Sequence, residues 1–261
     1  MKESTKRLIR TAQTYVPWLA DAKAEFQYRL RSLARRPFEP DFAALRLFGG
    51  EDRLHLDVGA NRGQSIAAIR LTARRPRIMS FEPNPVLAAR LVRRFGDLPG
   101  VRIEPVGLGD REGEFELHIP YYRGYVFDGL ASIDRDAASS WLSPRTIHGF
   151  DPAKLRIETV RCRVVTLDSL GTEPFFIKLD VQGFELPVLR GAEETLRRHR
   201  PVLLIETPDD TAVLDHLAGL GYRPYAFDAR EGRFRAGRTG VLGTFFLTDD
   251  KADPIARFID A

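Results

Sequence analysis

Short apolar segments alternate with helix-like segments from Arg53 onward, and this alternation is the strongest constraint on the fold. The predicted strands are residues 53–58, 77–82, 101–108, 175–180, 201–206, 222–227 and 242–248. The predicted helices are residues 63–74, 84–95, 184–199 and 209–220. Continuous apolar strands separated by helices are typical of a mostly parallel sheet that is covered on both faces. The sequence therefore predicts a doubly wound, mostly parallel α/β domain.

The alternation is interrupted between residues 113 and 168. Residues 113–119 and 156–167 alternate between apolar and polar side chains, as strands of a hairpin or a sheet edge do. A long loop, residues 120–155, lies between them, and such a loop in a compact domain is usually a lid, a binding loop or a disordered segment. Five aromatic residues argue against simple disorder; they are Tyr121, Tyr122, Tyr125, Phe127 and Trp141. We expect an inserted lid at about residues 119–156.

A basic arm precedes the main domain. Residues 1–36 have a net charge of +6, whereas the whole chain has +4, so the rest of the chain is slightly acidic. Apolar side chains from Leu19 to Leu33 recur at helical spacing, and Pro17 can begin that helix. We therefore predict a helical arm over residues 1–40 and a main domain over residues 41–261.

The arm has three candidate partners. Packing on the main domain or on a second subunit is the first, and the second subunit would make a homodimer. Peripheral contact with an anionic membrane surface is the second. Nucleic acid comes last, and we do not expect it, because acidic residues interrupt the charge and no RNA-binding motif accompanies it.

The composition indicates a soluble cytoplasmic protein. Cys162 is the only cysteine, which rules out an internal disulfide and suits a reducing compartment. No segment near the N-terminus resembles a signal peptide. No apolar run reaches the roughly 20 residues needed to span a bilayer, so no transmembrane segment is expected.

The residues that follow the first two predicted strands suggest a cofactor site. Asp57, Gly59, Asn61 and Gly63 follow the first strand, and ligands of open parallel sheets bind beyond the carboxyl ends of strands. Glu82 ends the second strand, where a carboxylate can accept hydrogen bonds from both ribose hydroxyls. A pyrophosphate site requires G-x-G-x-x-G, and Asn61 breaks that pattern. A cofactor with a ribose but no phosphates, such as S-adenosylmethionine, fits better. The alternative is a purely structural role, in which Gly59 and Gly63 shape a tight turn and Glu82 is a solvated strand end.

Six segments occur in an order that resembles the FkbM-type S-adenosylmethionine-dependent methyltransferases. The segments are LDVGANRGQS, SFEPNP, GLGDREGEFEL, RVVTLDSL, FIKLDVQGFELPVLRGA and PVLLIE. Together they cover roughly residues 53–206. The resemblance implies a class I methyltransferase fold, which is Rossmann-like. It also implies O-methylation of a sugar, a glycan or another hydroxyl-bearing natural product, with a small molecule or glycan as the acceptor.

The resemblance also implies roles for individual residues. Asp57, Gly59, Asn61 and Gly63 would line the methionine end of the cofactor, Glu82 would hold its ribose, Leu108 and Asp110 would lie along its adenine, and Asp180 would lie beside the methyl group. One position departs from the family pattern. The element often reads D-V-E-G, whereas this chain has Gln182 in place of the acid. If that acid binds a metal or a substrate amine in relatives, this chain lacks the ligand.

Transfer of a methyl group to a hydroxyl requires a base or a metal that promotes loss of the hydroxyl proton. Asp180 is the first candidate base and Glu206 is the second. The two could meet at one hydroxyl or at one divalent ion, and their repulsion would raise one pKa if they lie close together. His148 in the lid is a further candidate, and the lid aromatics would contact the acceptor.

Several of these side chains also have structural interpretations. Lys178 lies two residues before Asp180 on the same strand face, so it can pair with Asp180 or with Glu185. Glu185 can be the acid at a helix N-terminus or, equally, a contact for the substrate. His55 is expected to be a core histidine and Cys162 a packing residue.

Two other functions fit the same sequence. The first is an NAD-dependent nucleotide-sugar oxidoreductase, although the broken glycine pattern argues against it. The second is a non-catalytic module that binds a glycan or a cofactor, because a fold does not determine a function.

Overall fold

The computed structural model describes residues 3–16, 37, 39–49, 51–206, 210–237, 239 and 243–260. The strands are β1 (Leu54–Val58), β2 (Arg77–Phe81), β3 (Val101–Glu104), β4 (Gly107–Leu108), β5 (Gly113–Tyr122), β6 (Tyr125–Val126), β7 (Leu155–Val165), β8 (Pro174–Leu179), β9 (Val202–Glu206), β10 (Arg223–Asp228), β11 (Arg233–Ala236), β12 (Gly243–Leu247) and β13 (Ile259–Asp260). The helices are α1 (Glu3–Tyr15), α2 (Leu45–Phe48), α3 (Gln64–Thr72), α4 (Pro85–Phe95), α5 (Arg135–Ser140), α6 (Glu185–Arg190), α7 (Glu193–His199), α8 (Thr211–Gly219) and α9 (Asp249–Ala252). The helix predicted from Pro17 through Leu33 lies outside the described residues.

The chain divides into two compact units. The insert unit comprises Met1–Ala34 and Glu114–Cys162, and the sheet unit comprises Arg35–Gly113 and Arg163–Ala261. Helix α1 thus belongs to the same unit as the segment that was predicted to be a lid. Among the described residues, no helix combines the length and apolar character needed to cross a membrane.

The sheet unit contains a large, mostly parallel sheet. In the described residues its strand order is β13-β11-β10-β12-β9-β8-β1-β2-β3. Strands β2 and β3 follow β1 on one side, and β8 and β9 follow on the other, all in parallel. The order reverses between β1 and β8, which is the point where doubly wound sheets bind ligands. The predicted fold class is confirmed. Strands β11 and β13, which were not predicted, lie at one edge beyond the antiparallel strands β10 and β12.

Local chemistry explains where the helices beside β1 and β2 begin. Helix α3 starts after Gly63, which has a left-handed φ of 83°. Helix α4 starts after Asn84, whose side chain accepts hydrogen bonds from the Val86 and Leu87 amides, and Pro85 occupies the first helical position. Both helices therefore begin after the turns that follow the carboxyl ends of strands.

Two predicted elements are interrupted. The strand predicted over residues 101–108 ends at Glu104, because Pro105 has no N–H to continue the ladder, and β4 pairs with β7 instead. The helix predicted over residues 184–199 divides into α6 and α7. A Cβ atom on Gly191 would lie 1.8 Å from the carbonyl oxygen of Gly109, so the backbone at Gly191 packs too closely for a side chain.

The long predicted loop has its own secondary structure. Strands β5 and β6 pair in antiparallel fashion, with Tyr122 opposite Tyr125. Helix α5 begins after Asp134, whose carboxylate accepts hydrogen bonds from two backbone amides of the first turn. Tyr122, Leu142 and Ile147 form a buried cluster within the insert unit. The aromatic content that argued against disorder therefore reflects a small hydrophobic core.

Helix α1 is held to the insert by polar and aromatic contacts. The Thr11 hydroxyl accepts a hydrogen bond of 2.9 Å from the backbone N–H of His148. The Arg10 guanidinium lies 4.7 Å from the ring centre of Trp141, and Arg123 lies 4.1 Å from that of Tyr15. Each cation–π contact contributes about 0.5–1 kcal/mol when exposed. The first helix is therefore a structural part of the insert unit.

Candidate active site at the carboxyl ends of the strands

Strand register places three polar side chains on one face of the sheet. Asp57 in β1 is the register partner of Ser80 in β2 and of Lys178 in β8. Side chains at paired positions of neighbouring parallel strands point to the same face. The Ser80 hydroxyl donates a hydrogen bond of 3.2 Å to Asp57 Oδ2. Asp57 and Lys178 are almost completely buried, at 0% and 2% exposed.

The turn after β1 requires glycine at two positions. Gly59 has a φ of 87°, and a Cβ atom there would lie 1.9 Å from the carbonyl oxygen of Asp180. Gly63 has a φ of 83°, and its Cβ atom would lie 2.3 Å from the ring of Phe95. Both positions exclude L side chains by conformation and by space. The Gly59 turn thus packs directly on the segment that carries Asp180.

Glu82 connects the ends of β1 and β2. Its Oε2 accepts a hydrogen bond of 2.7 Å from the Asn61 amide, and its Oε1 accepts one of 2.9 Å from the Asn84 amide. Asn61 has a left-handed φ of 48°, which the hydrogen bond to Glu82 helps to hold. A carboxylate oxygen accepts more than one hydrogen bond. Glu82 can therefore position the turn and still accept hydroxyl donors from a ribose.

Asp57 has an oxygen that fits a ligand donor. Its Oδ1 is buried and has no hydrogen-bond partner. Burial raises the pKa of Asp57 to about 7, although the Lys178 charge and the Ser80 hydroxyl oppose the rise. An unpartnered buried carboxylate oxygen is rare in folded proteins and points to a donor that binds there. The ammonium group of an amino-acid-like cofactor is such a donor.

Asp180 and Glu206 form a hydrogen-bonded carboxyl pair beside Lys178. Lys178 Nζ lies 3.4 Å from Asp180 Oδ2 and 3.8 Å from Glu206 Oε2. The Gln182 amide donates a hydrogen bond of 3.0 Å to Asp180 Oδ1. Burial raises the pKa of Asp180, but the hydrogen bond from Glu206 and the Lys178 charge outweigh burial and lower it. The hydrogen bond to Asp180, together with burial, raises the pKa of Glu206 to about 7.

The position of Lys178 bears on whether a metal could bind at this pair. In the part of the chain that is described, no group of three or more His, Cys, Asp or Glu side chains is placed to hold a metal ion. Lys178 supplies positive charge to both carboxyl groups. A divalent ion at Asp180 and Glu206 would therefore compete with a buried ammonium group.

Two further carboxyl groups, Glu39 and Asp41, were missed by the sequence analysis. Burial raises the pKa of Glu39. Burial, followed by the charge of Glu39, raises the pKa of Asp41 to about 6. Asp41 Oδ2 lies close to Gly243, because a Cβ atom added to that glycine would be 3.2 Å from it. Gly243 is the register partner of Glu206. Nothing in the sequence indicated this placement, because Glu39 and Asp41 lie before the first strand without strand or helix periodicity.

The remaining predicted site residues lie in different surroundings. Leu108 is buried in the core of the sheet unit, and Asp110 is exposed in the turn after β4. Their contact with adenine stays a prediction. His148 is exposed and belongs to the insert unit. Its role as a base also stays a prediction.

Four side chains have the structural surroundings that the sequence suggested. Lys178 pairs with Asp180. Glu185 is the first residue of α6, and its Oε1 accepts hydrogen bonds from the Val181 and Gly183 amides at 3.3 and 3.2 Å. His55 is buried, and burial lowers its pKa. Cys162 is buried in a small apolar cluster of the insert.

The sheet order and its reversal between β1 and β8 define a doubly wound, Rossmann-like domain. Residues 57–224 match the methyltransferase FkbM domain. The chain therefore belongs to the FkbM family of S-adenosylmethionine-dependent methyltransferases, and its fold is that of the class I enzymes.

Two curated relatives differ in how much of their length is matched. The 2-O-methyltransferase NoeI of Sinorhizobium fredii is 28% identical over 184 residues, which are 67% of this chain and 74% of NoeI. The AMB antimetabolite synthetase AmbE of Pseudomonas aeruginosa is 34% identical over 176 residues, which are 59% of this chain. This chain spans only 8% of the length of AmbE.

Solved structures include similar chains at low sequence identity. A methyltransferase FkbM from Methylobacillus flagellatus has a TM-score of 0.45 and 17% identity, and the match covers 75% of this chain and 43% of that one. A TehB-like methyltransferase from Corynebacterium glutamicum has a TM-score of 0.42 and 11% identity, with coverage of 89% and 100%.

Proposed function

We propose that the chain transfers the methyl group of S-adenosylmethionine to a hydroxyl of a sugar, a glycan or a glycosylated natural product. The observation that carries the proposal is the Asp180–Glu206 pair, which lies beside the Gly59 turn and can accept a hydroxyl proton. Oxygen as the acceptor atom is supported by the name of NoeI, a 2-O-methyltransferase. The single Cys162 supports a reducing compartment, and we propose the cytoplasm.

The residues around the β1 turn fit the cofactor. Glu82 would accept hydrogen bonds from the ribose hydroxyls, and Asp57 Oδ1 would accept one from the ammonium group. Gly59 keeps the turn free of side chains where the cofactor and the Asp180 segment would both need space. When bound, S-adenosylmethionine supplies an electrophilic methyl group on a positively charged sulfur. The protein then has to orient the acceptor and remove its proton.

Glu206 is the better-matched base of the pair. A general base works best when its pKa lies near the working pH, and the pKa of Glu206 is raised to about 7. Asp180 is a weaker base because its pKa is lowered. Its oxygens also face donors from Gln182 and Lys178. We propose that Glu206 takes the hydroxyl proton and that ionised Asp180 stabilises the protonated form by accepting its hydrogen bond.

Calorimetric titration with S-adenosylmethionine tests the cofactor assignment, with NAD as the parallel ligand. We expect micromolar binding of S-adenosylmethionine and none of NAD. Glu82→Ala should weaken binding by at least about tenfold, since hydrogen bonds to a charged group contribute about 1.5–3 kcal/mol. Asp97→Asn, which changes an exposed carboxylate of the same unit, is the matched control.

Three outcomes contradict parts of the proposal. Binding of NAD alone would favour the oxidoreductase. Binding of neither ligand would refute the cofactor assignment. Tight binding of S-adenosylmethionine without methyl transfer to any hydroxyl of a broad panel of sugars and glycans would favour the non-catalytic module.

A further inference from the structure

Six ionisable side chains converge at the carboxyl ends of the central strands. This strand-end cluster consists of Glu39, Asp41, Asp57, Lys178, Asp180 and Glu206. The charge of Lys178 acts on each of the five carboxyl groups. Five carboxyl groups around one ammonium group give the cluster a net negative charge unless most of the carboxyls are protonated.

The upstream members are fixed in place by the core. Phe42 follows Asp41 in the chain, is completely buried, and packs edge-on against Phe176 of β8 at 6.2 Å between ring centres. The carboxyl group of Asp41 lies beside Gly243 of β12. The segment that carries Glu39 and Asp41 is therefore anchored to β8 and to the strand beside β9.

A second observation, the unpartnered oxygen of Asp57, points to a place where the cluster can accept a donor. Asp57 is fully buried, and its Oδ1 has no partner although Lys178 is its register neighbour on the same face. A buried carboxylate oxygen without a donor costs free energy in the folded protein. A bound cation or N–H donor would offset that cost.

We propose that the strand-end cluster distinguishes the cofactor from its product by charge, with Glu39 and Asp41 as specificity-determining residues. This inference rests on the proposed methyltransferase function. S-adenosylmethionine carries a sulfonium charge, whereas S-adenosylhomocysteine has a neutral thioether after the methyl group has left. The two ligands share their ammonium, carboxylate, ribose and adenine groups. A net negative cluster therefore attracts the first ligand more strongly, and it loses that attraction once transfer is complete.

The preference should depend on pH because the carboxyls titrate. The charged and titratable groups at the cluster come from the segment before α2, from β1, and from the ends of β8 and β9. Glu82, directly after β2, is a further one. Strand β12 contributes Gly243, which does not titrate. A nearby cation favours the ionised form of a carboxyl group. Binding of S-adenosylmethionine should therefore release protons around pH 6–7, the range of the raised pKa values of Asp41, Asp57 and Glu206.

The test is calorimetric titration of the full chain with S-adenosylmethionine and with S-adenosylhomocysteine. Each titration is made at about pH 6 and about pH 8, in two buffers of different ionisation enthalpy, so that proton release is measured directly. We expect the preference for S-adenosylmethionine, as a ratio of the two Kd values, to rise about tenfold over this range, the change that one unit of pKa shift produces. S-adenosylmethionine should release protons, and S-adenosylhomocysteine should release fewer.

A double variant assigns the preference to the upstream carboxyls. Glu39→Gln with Asp41→Asn should lower the ratio at about pH 8 by roughly tenfold and reduce its pH dependence. Asp97→Asn with Glu194→Gln removes two exposed carboxylates of the same unit and should keep the wild-type ratio. Partial misfolding of a variant lowers the binding stoichiometry and leaves the ratio of Kd values intact.

Two results overturn the inference in different ways. If both ligands bind with a ratio that changes neither with pH nor in the double variant, charge discrimination is refuted and the proposed function is untouched. If neither ligand binds the wild-type protein, both proposals fail together.

Discussion

The buried carboxyl group of Asp57 should make the protein less stable as the pH rises. Burial raises its folded-state pKa to about 7, above an unfolded value of about 3.9. A group with a raised folded pKa contributes stability that is fully present below its unfolded pKa and is lost as the pH rises through its folded pKa. Between about pH 5.5 and pH 8 the integrated loss is about 2 kcal/mol, because each unit of pKa shift corresponds to about 1.4 kcal/mol.

Urea denaturation of wild type and Asp57→Asn at both pH values measures this contribution. The asparagine keeps the shape of the side chain and its contact with Ser80 but does not titrate. The free energy of unfolding of the variant should therefore fall by about 2 kcal/mol less than that of wild type over the same range. Asp97→Asn should show the wild-type pH dependence. Equal pH dependence in wild type and Asp57→Asn would refute the assignment of a raised pKa to this buried group.

Two other substitutions test the proposed chemistry and the turn. Glu206→Gln should lower kcat by about 10²–10⁴-fold, the range typical of a lost general base. The wild-type kcat should rise with pH through about 7 and then level off, since Glu206 has to be ionised to take a proton; a flat wild-type profile would contradict its role. Gly59→Ala should lower the free energy of unfolding by about 2–4 kcal/mol in chemical denaturation, whereas Gly219→Ala, with no atom within 4 Å of the added Cβ, should change it little.

Much of the sheet and part of the site could be predicted because both follow from strand periodicity. Glu82, Asp180 and Glu206 each lie at or just beyond the end of an apolar run. The carboxyl ends of parallel strands meet at one edge, so their proximity could be expected from the sequence alone. A raised pKa for one carboxyl of the Asp180–Glu206 pair also followed, because two adjacent carboxyls cannot both ionise easily, but the sequence did not indicate that the raised pKa belongs to Glu206.

The rest of the site depended on contacts between distant segments. Glu39 and Asp41 reach the strand ends because Phe42 packs on Phe176, and no local pattern contains that pairing. The predicted helix over residues 184–199 divides at Gly191 because Gly191 packs on the backbone of Gly109, 82 residues earlier in the chain. Contacts of this kind are decided by packing, which overrides local propensity.

The position of helix α1 has a consequence for the synthesis of the chain. Its Thr11 contacts the backbone of His148, 137 residues later. At a translation rate of about 5–20 residues per second, His148 is synthesised roughly 7–27 s after Thr11. Closing so long a loop adds an entropic cost that grows slowly with its length. Helix α1 is therefore made before its partner in the insert, and it can complete its packing only after the insert has emerged.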